Sequence, residues 1–201
     1  MIINIINMTV NNIFIEMINI QIDKENKNNI WNDSIYKDII KLQSNNVGET
    51  FIQKICSYCN INANINGLKT KALGGGCGDG FINNKSVEIK TSYRGCIYPT
   101  FQHELGETPW KAEIILFIDI APDCIYITIF NNFTEEFYKS GNKCIPYFPS
   151  KSITWRKGSG AFKLDTTIKI NEDNIINGYT FKITQDINIL ELKNFIISKI
   201  E

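Results

Sequence analysis

Three residues of this chain have types and spacing suited to cutting a phosphodiester: Asp79, Glu88 and Lys90, within Gly78-Asp79-Gly80-Phe81-Ile82-Asn83-Asn84-Lys85-Ser86-Val87-Glu88-Ile89-Lys90-Thr91-Ser92. Such hydrolysis needs a hard cation to neutralise developing charge, and oxygen ligands to hold that cation. Two carboxylates suffice when phosphate and water complete an octahedral shell. Side chains alternate along a strand, so on a strand Val87–Ser92 the Glu88 and Lys90 groups share one side while Ile89 enters the core. Asp79 ends the preceding hairpin strand and can be brought beside Glu88. Lys90 then stands near the attacking water, to orient it or, with a pKa lowered by burial, to act as general base. The bland reading makes Asp79 a turn residue and Glu88 and Lys90 a solvated strand face.

This arrangement, D-x8-E-x-K, resembles the PD-(D/E)XK nuclease superfamily, the fold of most type II restriction endonucleases. Gly78 stands where that family often has Pro. The motif follows a turn and lies on an apolar strand, a buried strand follows at Ile114–Ile120, and Gly48-Glu49 opens a helix upstream. The resemblance covers roughly Val47 to Phe130. It implies an α/β fold, a central mixed β-sheet flanked by helices, and Mg²⁺ held by Asp79 and Glu88 with the Ile89 carbonyl. A glutamate on such a helix reaches the metal in many members, so Glu49 maps onto that role; the alternative is an acid favoured by the helix dipole. The implied activity is cleavage of double-stranded DNA leaving 5′-phosphates, by a stand-alone type II enzyme. A repair or junction-resolving nuclease is the neighbouring reading, and a DNA-binding protein with a degenerate site is the reading from another class. Cutting two antiparallel strands suits a two-fold pair of sites, so a homodimer is expected.

Two further stretches suit DNA. The segment Tyr93–Glu104, read as a loop, offers Arg94, Gln102 and His103 to base edges or phosphates. Thr154-Trp155-Arg156-Lys157-Gly158-Ser159-Gly160 offers Arg156, Lys157 and the Ser159 hydroxyl in a turn whose backbone N–H groups can approach a phosphate. Each is otherwise a polar surface segment. Competing signatures fail: the glycines fit neither GxGxxG nor a phosphate-binding P-loop, and the single histidine, His103, rules out histidine-clustered metal sites.

The elements that position these groups follow from apolar spacing. Asp33 or Ser34 can cap a helix through Ile35, Ile39, Ile40 and Leu42, and a second helix is expected over about Val47–Tyr58. Ile61–Leu73 is a turn-rich passage with room for short strands. Ile114–Ile120 is a nearly continuous apolar run, typical of a strand buried on both faces, and Ile125, Ile127 and Ile129 mark its partner. Phe133–Lys139 is expected as a short helix, Phe162–Ile170 and Tyr179–Thr184 as strands, and Ile187–Ile200 as a terminal helix. Nothing marks a domain boundary, so residues 1–201 are read as one domain, mainly helical over about 1–60, with a catalytic core at about 47–130.

Basic and acidic residues are equal at 21 each, so a DNA partner requires segregated charge, and Lys139 to Lys169 is dominantly basic. Polar interruptions of Met1–Ile20 exclude a membrane span, and that start lacks the basic and small-residue marks of a signal peptide, so a cytoplasmic protein is expected. Six cysteines are read as free structural thiols. The Cys56–Cys59 pair has no second CxxC to complete a metal site.

Overall fold

The computed structural model describes residues 10–41, 47–66, 78–106, 112–131, 153–156 and 161–201. Helix α1 spans Val10–Asn28, and α2 spans Val47–Tyr58. Strands β1 (Ala63–Ile65), β2 (Gly80–Ile82) and β3 (Lys85–Tyr93) form a meander. Then come β4 (Thr100–Gly106), β5 (Ile114–Ile120), β6 (Ile125–Asn131), β7 (Ile153–Arg156) and β8 (Ala161–Thr167). Helix α3 (Ile168–Ile176), β9 (Thr180–Ile183) and α4 (Ile189–Ile200) complete the order.

A six-stranded sheet runs β1-β2-β3-β5-β6-β9. It is mixed: β3 and β5 are parallel and the other neighbours antiparallel. The expected α/β class with a mixed central sheet is therefore what the chain adopts. One face presents Val87, Ile89, Leu116, Ile118, Ile127 and Ile129 to Ile52, Ile55 and Cys56 of α2 and to Leu192, Ile196 and Ile200 of α4. The opposite face is covered by a second sheet, β4-β8-β7, together with α3. Strand β5 is buried at all seven positions, as its apolar run requires.

Local chemistry explains the turns and ends. Asn83 and Asn84 take φ of 46° and 66°, the left-handed pair that a tight β2–β3 hairpin demands and that asparagine tolerates. Thr167 caps α3 by accepting the Ile170 N–H, and Asn188 caps α4 by accepting that of Leu190.

Three expectations are corrected. The segment Asp33–Lys41 forms turns and a 3-10 turn at Ile39–Lys41 instead of an α-helix; Ser34 is buried, with its hydroxyl donating to the Pro122 carbonyl at 2.6 Å. The same oxygen accepts the Tyr36 N–H at 3.0 Å, a local side-chain bond that competes with the helix. Thr100–Gly106, read as loop, is a strand paired with β8. The strand expected over Phe162–Ile170 stops at Thr167, where the cap starts α3. Leu42 and the helix expected at Phe133–Lys139 lie outside the described residues.

Candidate active site

The hairpin β2–β3 sets the geometry. Gly80 pairs with Val87 at the end of the β2–β3 ladder, and Asp79 precedes it at the turn into β2. The Asp79 N–H donates to the Val87 carbonyl at 2.7 Å, and its Oδ2 accepts the Ile89 N–H at 2.7 Å. Asp79 is thus 3% exposed and held by backbone groups at the sheet's turn. Gly78, at φ 81°, makes the approach possible: a Cβ there would collide with the Val87 carbonyl.

Ile89 enters the core, while Glu88 and Lys90 are half-buried on the other side. Lys90 Nζ lies 2.6 Å from Glu88 Oε1. In an extended strand one residue's N–H and C=O point to the same edge. The Ile89 carbonyl therefore faces the edge at which Asp79 takes the amide. Asp79 is thus tied to β3 through the Ile89 amide, and Lys90 through the Glu88 carboxylate.

Glu49 stands in the first turn of α2, whose start rests on β3: a Cβ on Gly48 would collide with Thr91 Oγ1. Thr91 shares its sheet face with Ile89, opposite Glu88. Among the described residues no three acidic, thiol or imidazole side chains gather closely enough to hold a metal. Two carboxylates with a backbone carbonyl remain a suitable donor set for Mg²⁺, which keeps several waters.

The proposed DNA contacts separate. Gln102 is exposed on β4, its N–H bonded to Ser92 Oγ at 2.8 Å. It helps line a cavity of about 380 Å³ with Ser92, Tyr93 and Tyr98, one pleat beyond Lys90. Arg94 is half-buried; its N–H donates to the Ile120 carbonyl and its own carbonyl accepts Trp31 Nε1–H. Arg156 ends β7, paired through the backbone with Ala161. Lys157 and Ser159 lie outside the described residues.

His103 requires a correction. It is 1% exposed and points between the sheets, so it does not present its ring to a base edge. Its Nε2 is 2.6 Å from Asp119 Oδ1, and Phe117 packs edge-on against it. Asp119 also accepts Thr166 Oγ1–H and, at 2.7 Å, Asn171 Nδ2–H on its other oxygen. This buried cluster joins β4, β5, β8 and α3. The sequence carried one signal for it: Asp119 is the acid inside an otherwise apolar strand, and a buried carboxylate must find donors.

Cys56 and Cys59 sit in the helical-face core, 0% and 3% exposed. Burial first, then the neighbouring Cys59 thiol, pushes the Cys56 thiol up to about 12. Cys96 is exposed. Alkylation of the native protein with iodoacetamide at about pH 8 is therefore expected to label Cys96 and spare Cys56, because the thiolate is the nucleophile. Peptide mass mapping checks this, and rapid labelling of Cys56 would contradict the burial.

No protein-family model matches the chain, and neither a curated protein nor a solved structure is significantly similar to it.

Proposed function

We propose that the chain is a Mg²⁺-dependent endonuclease acting on double-stranded DNA, of the sequence-specific restriction type. The observation that supports this best is that the Asp79 carboxylate accepts the Ile89 amide, one residue from Glu88, while Lys90 lies against Glu88. When bound, Mg²⁺ supplies charge neutralisation at the phosphate. Asp79 and Glu88 would hold it, joined by the Ile89 carbonyl. The Asp79 N–H, its carbonyl and one carboxylate oxygen are each held by a backbone group, so the carboxylate needs little reorganisation. Lys90, tethered at Glu88, would orient the water that attacks phosphorus. Gln102 remains the base-reading candidate, and Arg156 a phosphate contact, in a two-site homodimer.

Incubating a long unmodified DNA with Mg²⁺ and sequencing the fragment ends tests the reading. Ends clustered at one short sequence support it; ends at branch points indicate a junction-resolving enzyme. DNA binding without cleavage at any Mg²⁺ concentration would leave a binding protein with a degenerate site. Lys90→Ala is expected to slow single-turnover cleavage about 10²-fold or more, with substrate affinity little changed. An unaltered rate would make Lys90 an ordinary strand residue.

A further inference from the structure

Given the nuclease reading, on which the choice of ligand rests, we propose that the cavity beside the end of β3 takes a single unpaired nucleobase. The base stacks on Tyr98 and is hydrogen-bonded by Gln102, so the DNA is opened by one base next to the cut. The cavity measures about 380 Å³, and Ser92, Cys96, Ile97, Tyr98, Thr100 and Gln102 are among its walls. Its rim is the turn 95–100: the Gly95 N–H donates to the Thr100 carbonyl at 3.2 Å, and the Thr100 N–H to the Tyr98 carbonyl at 2.7 Å. A Cβ on Gly95 would collide with the Tyr98 carbonyl, so glycine lets the turn close this tightly.

Three groups at or next to this cavity have no partner among the described residues. The Tyr98 ring, 73% exposed, meets no other ring, and its hydroxyl makes no hydrogen bond. Gln102 commits its N–H to Ser92 Oγ, but its side-chain amide makes no bond. The Nε of Arg94, which leads into the turn, is buried without an acceptor. An amide offers donor and acceptor side by side, the pattern that a base edge matches. A tyrosine ring is a platform on which any base can stack. The guanidinium is left for the phosphate of the same nucleotide. Reading a base edge in a groove needs only projecting side chains; a concavity beside an aromatic ring serves a base that has left the stack.

The cavity lies within reach of the cut. Ser92 is two residues beyond Lys90 on the same face of β3, roughly 7 Å along the strand. That spans about two steps of duplex at ~3.4 Å each. A base entering the cavity therefore belongs to a nucleotide near the scissile phosphate. Opening a pair costs least where it is weak or mismatched, so the site selects for ease of opening as well as for base identity.

Cys96, exposed and on the cavity wall, reports occupancy without metal or cleavage. In EDTA, at least one of the four deoxynucleoside 5′-monophosphates at about 10 mM is expected to slow iodoacetamide labelling of Cys96 about 5-fold or more, with deoxyribose 5-phosphate inert. Tyr98→Ala and Gln102→Ala, both at exposed positions, should each weaken that protection about 10-fold. No protection by any of the four, or equal protection by deoxyribose 5-phosphate, would overturn the proposal. In the duplex, 2-aminopurine is placed in turn at each position around the cut and bound to Lys90→Ala in Mg²⁺. Its fluorescence should rise several-fold at one position, where the base leaves the stack, and not when Tyr98→Ala is added. A duplex that is cut but shows no such rise at any position would overturn the cavity's role and leave the nuclease reading standing. Cys96 protection by a monophosphate in a protein that cuts nothing would uphold the base site and remove the nuclease reading.

Discussion

Asp79→Asn and Glu88→Gln are each expected to reduce Mg²⁺-dependent cleavage by about 10³-fold or more, the equivalent of several kcal/mol of charge stabilisation. Binding of the same DNA should persist or tighten, because a negative charge facing phosphate is removed. The asparagine at 79 can still accept the Ile89 N–H that Asp79 takes at 2.7 Å, so the hairpin keeps its bond and lost activity is not lost fold. Single-turnover cleavage at saturating Mg²⁺, with a binding isotherm on the same duplex, separates the two effects. Near wild-type cleavage by either variant would remove the acids from the chemistry and leave Asp79 as a hairpin staple.

Asp119→Ala should produce a large stability loss, about 3–5 kcal/mol, the cost of leaving its buried hydrogen-bond partners unsatisfied. The carboxylate accepts from Thr166 and Asn171 and pairs with His103 at 2.6 Å, all of them buried. Its removal strands three polar groups between two sheets, where His103 Nδ1 and Asn171 Oδ1 already lack a partner among the described residues. The urea midpoint should fall on the order of 1–2 M. Asp119→Asn keeps the shape but turns an acceptor into a donor, so its loss should be intermediate. A midpoint within about 0.3 M of wild type for Asp119→Ala would show that the cluster does not hold the layers together.

These two acids mark what one-dimensional reading reaches. The hairpin was legible because its logic is local: a two-asparagine turn returns β3 past Asp79, whose carboxylate takes the Ile89 amide, and strand alternation places Lys90 beside Glu88. The same holds for α2, whose apolar spacing gives its limits, and for β5, whose unbroken apolar run is itself the signature of double-sided burial. Elements fixed by a short period or a turn survive translation from sequence to structure.

The role of His103 followed a different rule. Its neighbours in sequence are polar and suggest a surface loop, yet β8, some sixty residues later, pairs with it through Leu164. That pairing turns Thr100–Gly106 into a strand and aims His103 at Asp119 on β5. Similarly, the periodic isoleucines after Ser34 suggest a helix, but the Ser34 hydroxyl is drawn to Pro122 across the fold. The sequence by itself determined the acids, the amine and the hairpin that joins them, since these depend on contacts between near neighbours. Only the tertiary structure decided which polar residues face outward, because a strand's inner face is chosen by the distant strand that covers it.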